Sequence, residues 1–347
     1  MSDALGVGVV GYGYWGPNLA RNFAEVPDVR VAAVSDVREE RLAEARRRVP
    51  GAALTRSARE LIADPAVDAV AISTPVSTHF ELALDALRAG KHVLLTKPMT
   101  ASADDAARLI DAAAQRGLVL MIDHTYVFTG AVRRIREIVR DDGFGPVYYY
   151  DSVRVNLGLF QHDVNVIWDL AVHDLAIMDH VLGTRPAAVS ATGMAHVPGG
   201  VENIAYLTAF FDTDTIAHIG VNWLAPVKVR QTLIAGPQRM IVYDDLEPSE
   251  KVKVYDKGIT VGVDESPERL YRLAVGYRTG DMWAPRLATT EALRVEAEHF
   301  ADCIRGGTTP ITDGEAGLRV VEVLEAASRS LRERGRPVRI GQPVRAR

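Results

Sequence analysis

The chain has 347 residues, of which 48% are hydrophobic and 24% are charged, and its net charge at pH 7 is −5. This composition is typical of globular proteins and excludes the disordered and fibrous classes. The acidic balance argues against a nucleic-acid partner, and no apolar run in the sequence reaches the roughly 18 residues that cross a bilayer.

The single cysteine, Cys303, excludes a disulfide framework and favours a reducing compartment. The N-terminal residues carry no basic stretch ahead of an apolar core, so we expect no signal peptide. We therefore expect a cytoplasmic protein of about two domains, with neither a membrane nor a nucleic acid as partner.

The first third of the chain alternates short apolar runs with helical patterns. Strands are predicted at residues 5–10, 29–35, 67–73, 92–95 and 119–122. Helices are predicted at residues 38–48, 80–89 and 104–116, and from the first glycine-rich turn to about residue 25. Strands that alternate with helices of this length indicate a doubly wound parallel sheet, which is a Rossmann-type α/β domain.

The pattern changes in the rest of the chain. Helices are predicted at 131–140, 167–182, 291–305 and 314–334, a strand at 147–155, and an irregular stretch at 264–290. Between residues 187 and 255 short strands follow one another without helices, which predicts a mainly antiparallel, open sheet in an α+β domain. We place the domain boundary after Asp123, with one domain at 1–123 and a second at 124–347.

A glycine-rich turn joins the first strand to the first helix. Gly11, Gly13 and Gly16 form the pattern G-x-G-x-x-G, which lets a backbone turn tightly and approach a pyrophosphate at a helix N-terminus. Asp36 follows the second strand, 20 residues beyond Gly16, where a carboxylate binds the adenosine ribose and repels the 2′-phosphate of NADP. We therefore predict NAD as the cofactor, although Arg38 is close enough in sequence to contact a phosphate. Residues 1–123 are then the NAD-binding domain, and 124–347 are the substrate-binding and oligomerisation domain.

Three further residues carry candidate chemistry. The chain has only 6 lysines beside 34 arginines, and Lys97 ends an apolar strand at the ligand-binding edge of the sheet, held extended by Pro98. Asp169 and His173 are spaced i, i+4 on one helix face, which suits a proton-transfer pair. The alternative interpretation is a helix-start carboxylate and a half-buried structural histidine.

These motifs together resemble a known family. The glycine turn, Ser73-Thr74-Pro75 with His79, the run from Ala89 to Lys97-Pro98, and Asp169-x-x-x-His173 resemble the glucose–fructose oxidoreductase/inositol dehydrogenase (Gfo/Idh/MocA) family, as do the segments at 296–304 and 310–318. The resemblance implies that Lys97 and His173 lie beside the nicotinamide and the reacting sugar carbon, with Asp169 in support. Thr96 departs from the family, which usually has Glu there, and residues 123–128 depart from its usual run of Arg and Asn-Pro.

The candidate site residues follow from the motifs and the resemblance. Catalytic residues are predicted to be Lys97, Asp169 and His173. Cofactor contacts are predicted for Gly11, Gly13, Tyr14, Trp15, Gly16, Asp36, Arg38, Ser73, Thr74, Pro75, His79, Thr96 and Lys97. Substrate contacts are predicted for Lys97, Tyr126, Arg154, Asn156, His162, Asn165, Asp169 and His173, with Asp163 available to a substrate amine. No cluster of His, Cys and carboxylates has metal-ligand spacing, so no metal is expected.

The expected activity is oxidation of a secondary ring hydroxyl, at C3, of a nucleotide sugar, an amino sugar or aminoglycoside, or a cyclitol. The segments at 165–171, 243–245 and 277–281 resemble the family branch that acts on nucleotide-linked or amino sugars, as used in antibiotic or polysaccharide biosynthesis. Alternatives are an NADPH-dependent 3-ketosugar reductase, a hydrolase that keeps a tightly bound NAD, and a non-catalytic regulator such as the yeast galactose-pathway repressor.

The antiparallel sheet is also expected to form a homodimer or homotetramer. Its strands carry more apolar side chains than one packed face requires. The residues predicted to point outward are Ile204, Tyr206, Phe210, Phe211, Ile216, Ile219, Val221 and Trp223. The alternative is an open face made polar by Thr208, Asn222 and Lys228.

Overall fold

The structure is a computed structural model that describes residues 4–157, 164–197, 200–262 and 274–341. Contacts divide the chain into two compact units, one of Met1–Thr129 with Thr289–Glu325 and the other of Gly130–Ala288 with Ala326–Arg347. The predicted boundary after residue 123 stays a prediction. Among the helices that the structure describes, none combines the length and the apolar character that a membrane crossing needs.

The first unit contains a parallel sheet of six described strands in the order β3-β2-β1-β4-β5-β6. Its strands are β1 (Leu5–Val10), β2 (Val29–Ser35), β3 (Ala53–Thr55), β4 (Ala69–Ile72), β5 (His92–Thr96) and β6 (Leu120–Asp123). The central strands are buried on both faces, which explains why they read as continuous apolar runs. The predicted Rossmann-type sheet is confirmed.

Helices connect the parallel strands and recur later in the chain. They are α1 (Gly16–Glu25), α2 (Glu39–Arg48), α3 (Ala58–Ala63), α4 (His79–Arg88), α5 (Ala103–Ala114), α6 (Gly130–Val139), α7 (Val172–Leu182), α8 (Ala292–Gly306) and α9 (Gly314–Arg332). The sequence prediction missed β3 and α3, because three and six residues are too few to display a clear apolar period.

The second unit contains a sheet of nine described strands in the order β16-β13-β12-β11-β7-β10-β9-β8-β17. Its strands are β7 (Tyr149–Leu157), β8 (Ala188–Met194), β9 (Ile204–Phe210), β10 (Ile216–Asn222), β11 (Leu224–Ala235), β12 (Met240–Asp244), β13 (Val252–Tyr255), β16 (Met282–Trp283) and β17 (Val338–Arg339). Strands β14 (Gly258–Gly262) and β15 (Ala274–Arg278) form a separate hairpin. The sheet is mainly antiparallel, as predicted, but β7 and β10 pair in parallel because α7 and the β8–β9 pair lie between them in the chain.

The two faces of this sheet differ in burial. On β9, the buried residues Ala205, Leu207 and Ala209 alternate with more exposed ones. Three residues predicted to point outward are instead buried: Ile219, Val221 and Trp223 are at most 1% exposed. Ile219 and Val221 share the period-2 face of buried Ala217 on β10, which corrects that part of the prediction.

Candidate active site

The glycine turn after β1 has the geometry that its sequence predicts. Gly11 has φ = 88°, and a Cβ there would lie 2.5 Å from the carbonyl oxygen of Ser73. A Cβ on Gly16 would lie 2.1 Å from the carbonyl oxygen of Gly11. Both positions therefore require glycine, one for backbone conformation and the other for close approach of α1 to the strand.

Gly13 lies at the open part of the turn. A Cβ there would meet only a guanidinium nitrogen of Arg38, at 3.5 Å. Helix α1 begins at Gly16 without an acidic residue in its first turn and without a side-chain cap, and Pro17 at its start has no N–H. An open backbone beside the uncapped, positive end of a helix fits the pyrophosphate of a dinucleotide.

Asp36 lies at the carboxyl end of β2, where a ribose-binding carboxylate is expected. Its Oδ2 accepts the N–H of Tyr12 over 2.7 Å, and its Oδ1 accepts the N–H of Arg38 over 2.9 Å and Nε of Arg38 over 3.3 Å. Burial opposes ionisation, but hydrogen bonds from Arg38 and Tyr12 outweigh it and keep the pKa of Asp36 below its usual value. The carboxylate is therefore charged and fixed, as discrimination against a 2′-phosphate requires.

The loop after β4 approaches the glycine turn. Ser73 donates its hydroxyl to the carbonyl oxygen of Gly11 over 3.0 Å. The Thr78 hydroxyl donates to the carbonyl oxygen of Pro75 over 2.8 Å and lies 2.7 Å from the Thr74 hydroxyl. Ser73 and Thr74 are half-buried and Pro75 is exposed. The residues predicted from this loop thus adjoin the turn that fits the dinucleotide.

His79 lies buried between the loops that follow β4 and β5. It is 1% exposed, and its ring nitrogens lie 2.9 Å from the carbonyl oxygen of Pro98 and 2.8 Å from that of Thr74. Burial lowers the pKa of His79, although hydrogen bonds to the backbone oppose the shift. His79 braces the loops after β4 and β5 against each other, and its contact with the cofactor stays a prediction.

Lys97 follows β5, at the carboxyl edge of the parallel sheet. Its side chain is half-buried, and the preceding Thr96 is 9% exposed with its hydroxyl oxygen 3.4 Å from Nε2 of His79. The neighbouring His124 is fully buried, and burial together with the charge of Lys97 lowers the pKa of that histidine to about 3. A neutral His124 therefore lies beside the Lys97 ammonium, a feature that the sequence reasoning did not identify.

Trp15 of the glycine turn is anchored on β6. Its indole Nε1 donates to Oδ2 of Asp123 over 2.5 Å, while Oδ1 of Asp123 accepts the hydroxyl of Thr125 over 2.5 Å. Tyr14 stacks on Trp15 with ring centroids 6.4 Å apart, and Tyr14 is 90% exposed. Tyr14 is thus accessible to a ligand, whereas Trp15 is held in place.

In the second unit, Asp169 lies on a π-helical turn, Ile167–Ala171, which leads into α7. The indole Nε1 of Trp223 donates to Oδ2 of Asp169 over 3.0 Å. Asp169 and His173 are both half-buried, on consecutive turns of the helix. Widened helical turns of this kind occur frequently at functional sites, and the tryptophan fixes the orientation of the carboxylate.

Two predicted substrate contacts have structural partners. Asn165 caps the π-helical turn, since its Oδ1 accepts the N–H groups of Ile167 and Trp168 over 3.2 and 3.3 Å. Arg154 is 3% exposed and forms a buried ion pair with Asp174, with Nε 2.6 Å from Oδ2. Long-range partners like these are not visible in local sequence, so we leave both residues out of the substrate assignment.

The remaining predicted contacts divide between the two units. Tyr126 is half-buried in the 3₁₀ turn Thr125–Phe128 of the first unit, and Asn156 is half-buried on β7 of the second. His162 and Asp163 lie outside the described residues. Within the part of the chain that the structure describes, no group of three or more His, Cys, Asp or Glu residues could hold a metal ion.

The fold and the glycine turn define an NAD-binding oxidoreductase. Residues 5–124 match the family described as "Oxidoreductase family, NAD-binding Rossmann fold", residues 132–242 the "GFO/IDH/MocA C-terminal domain", and residues 255–340 the "Oxidoreductase family, C-terminal alpha/beta domain". The chain belongs to the Gfo/Idh/MocA family, as its sequence motifs predict. It is an NAD-dependent enzyme that acts on CH–OH groups.

Individual members of the family are similar over nearly the whole chain. The chain is 31% identical to the UDP-N-acetylglucosamine 3-dehydrogenase of Acidithiobacillus ferrooxidans over 318 residues, 90% of this chain and 93% of that protein. It is 25% identical to the myo-inositol 2-dehydrogenase of Thermotoga maritima, over 94% and 96% of the two chains. The solved structure of GenD2 from gentamicin A biosynthesis in complex with NAD has a TM-score of 0.82 at 25% identity, over 99% and 98% of the two chains.

Proposed function

We propose that this protein oxidises the C3 hydroxyl of a nucleotide-linked amino sugar, with UDP-N-acetylglucosamine as the first candidate. The observation that carries the proposal is the 31% identity, over 90% of the chain, to a dehydrogenase named for that reaction. Presence of Lys97, Asp169 and His173 argues against a non-catalytic regulator, because such a protein has no use for proton-transfer groups.

We assign the proton chemistry to three residues. The glycine turn and Asp36 would hold NAD, which would supply the acceptor for the hydride that leaves the substrate carbon. His173 takes the proton of the reacting hydroxyl on a ring nitrogen, since a histidine titrates near neutral pH. The Lys97 ammonium stabilises the negative charge that develops on the substrate oxygen. Asp169, oriented by Trp223, supports His173 as a fixed negative charge.

A substrate panel tests this function. The purified protein is incubated with NAD and, separately, with UDP-N-acetylglucosamine, an aminoglycoside and myo-inositol, and absorbance of the reduced nicotinamide is followed. We expect the nucleotide sugar to give the highest kcat/KM, and the Lys97→Ala variant serves as the control for contaminating dehydrogenases. A higher kcat/KM with myo-inositol would reassign the substrate to a cyclitol. Activity only in a parallel assay with a ketosugar and NADPH would reverse the direction of the proposed reaction.

We also propose that a second copy of this chain covers the outer face of the large sheet. Tyr206, Phe210 and Ile216 are 50%, 37% and 46% exposed, and Phe210 pairs with Ile216 on the adjacent strand. Covering an apolar face removes it from water, which stabilises the assembly by roughly 25 cal/mol per Å², and a two-fold mate offers the same surface in return.

Cys303, the single cysteine, is buried and free, which supports a reducing compartment such as the cytoplasm.

A further inference from the structure

Glu296 is a carboxyl group buried in the first unit, on the second turn of α8. Its side chain is 0% exposed. It lies in the apolar stripe formed by Leu293, Ala297 and Phe300, and Phe300 packs edge-on against Phe23 of α1 with ring centroids 6.1 Å apart. A buried carboxylate is costly without donors, and among the described residues no hydrogen-bond donor reaches either oxygen of Glu296.

Asp123 is a second buried carboxyl group, 3% exposed, and it lies against the Glu296 carboxyl. Both oxygens of Asp123 already accept hydrogen bonds, from Trp15 and Thr125. Two adjacent buried carboxyls cannot both be ionised. Burial, and then the neighbouring Asp123 carboxyl group, raise the pKa of Glu296 well above its usual value. Glu296 is therefore the protonated member and Asp123 the acceptor.

Asp123 transmits this interaction to the cofactor turn. The Trp15 indole that it holds belongs to the residue immediately before α1, between Gly13 and Gly16. The backbone carbonyl of Trp15 in turn accepts the N–H groups of Asn18 and Leu19, over 2.9 and 3.2 Å. The position of the indole thus fixes the start of the helix whose N-terminus fits the pyrophosphate.

We propose that Glu296 is a positioning residue for the dinucleotide: its carboxyl O–H donates to Asp123 and thereby holds Trp15 and the glycine turn in the binding geometry. This inference rests on NAD binding and not on the identity of the sugar. The interaction needs one proton shared between two carboxyls, so it depends on pH.

Other titratable groups face the same cluster. His124, next to Asp123 on the chain, is kept neutral by burial and by the charge of Lys97. His299, one turn further along α8, accepts the N–H of Ile311 over 2.9 Å and contacts Cys303. At the start of α8, Glu291 is paired with Arg21 at the surface over 2.6 Å.

The pH dependence has a defined sign. The folded protein keeps the Glu296 proton at pH values where the unfolded chain has released it, so the folded state binds more protons. The contribution of this group to stability therefore falls as pH rises from the unfolded pKa through the raised folded pKa. Glu296→Gln retains an N–H donor for Asp123 and has no proton to lose. The Tm difference between Glu296→Gln and wild type should thus grow from about pH 5 to about pH 9.

NAD titration by calorimetry tests the link to the cofactor. We expect Glu296→Ala to raise the Kd for NAD about tenfold, the usual size of a lost charge-assisted hydrogen bond, and Glu296→Gln to stay within about twofold of wild type. Trp15→Phe keeps the ring and loses the donor, so it should weaken binding similarly, and the Trp15→Phe/Glu296→Ala double variant should be no worse than either single one. Glu298→Gln, an exposed position paired with Arg294 on the same helix, is the matched control.

Three results would overturn the proposal. The first is that Glu296→Gln binds NAD as poorly as Glu296→Ala. The second is a Tm difference between Glu296→Gln and wild type that does not change with pH. The third is independent, additive losses for Trp15→Phe and Glu296→Ala. If Glu296→Ala does not fold, Glu296→Leu replaces it in the comparison of NAD binding. If neither variant folds, the dependence of the Glu296→Gln Tm on pH decides.

Discussion

Arg154 and Asp174 form a buried, two-point ion pair between β7 and α7. Nε of Arg154 donates to Oδ2 of Asp174 over 2.6 Å and Nη2 donates to Oδ1 over 3.2 Å, and both side chains are less than 5% exposed. Tyr150 of the same strand donates its hydroxyl to the backbone carbonyl of Asp174 over 3.2 Å. Because Asp174 follows His173 directly, the pair also fixes the helix turn that carries the proposed base.

Removing one member of this pair should destabilise the fold strongly. Arg154→Met leaves the Asp174 carboxylate buried without its counter-charge, which costs about 3–5 kcal/mol. The control is Arg134→Met, since Arg134 forms an exposed ion pair with Glu137 on α6 and such pairs contribute about 0–1 kcal/mol. Urea unfolding of both variants measures the difference. Equal losses of unfolding free energy in the two variants would show that the buried pair contributes no more to stability than the exposed pair.

Lys97→Ala and His173→Ala should each lower kcat by about 10²-fold or more, the usual size of acid–base and electrostatic contributions. The Kd for NAD, measured by calorimetry, should change much less, because the cofactor contacts of the glycine turn are untouched. Lys228→Ala, at an exposed position, controls for the loss of a lysine. Near-wild-type turnover in Lys97→Ala would contradict the assignment.

The pH profile of kcat/KM distinguishes the base. If His173 accepts the proton, kcat/KM should rise with pH as the imidazole loses its proton, and this limb should be absent from the His173→Ala profile. If Lys97 is the base instead, the limb should persist in His173→Ala and be absent from Lys97→Ala. A profile without a His173-dependent limb would transfer the role of base to Lys97.

Asp36→Ser should relax the preference for NAD. The substitution removes a fixed negative charge and releases the Arg38 guanidinium, which now bonds to Asp36 over 3.3 Å, so the Kd for NADP should fall relative to that for NAD by about tenfold or more. Asp36→Asn separates loss of charge from loss of the side chain. Tighter binding of NADP than of NAD by the wild-type protein would refute the assigned role of Asp36.

The outer sheet face should hold copies of the chain together. In sedimentation at micromolar concentration we expect a dimer or tetramer of the 37.8 kDa chain. A Tyr206→Glu/Ile216→Lys double variant places opposite charges on the exposed positions and should shift the species toward the monomer. A wild-type protein that sediments as a monomer would exclude this interface.

Much of the first unit is predictable because its signals are local. β1 and β2 begin and end at the residues that the sequence predicts, since β-branched runs there are bounded by glycines or charges. Glu296 also had a local signal, a lone acid at an apolar-stripe position of α8. The partners of His79, Arg154 and Asn165 cannot be predicted from local sequence. An ion pair, or a side chain that joins two loops, depends on which distant parts of the chain come into contact.

The proposed reaction transfers a hydride from C3 of a nucleotide-linked amino sugar to NAD. To test it, the protein is supplied with NAD and with UDP-N-acetylglucosamine that carries deuterium at C3, and both products are analysed by mass spectrometry. We expect the label in the reduced nicotinamide and accumulation of a 3-keto nucleotide sugar. Reduced nicotinamide without the label would contradict this reaction. So would a nucleotide sugar that stays unaltered after incubation with protein that binds NAD in calorimetry.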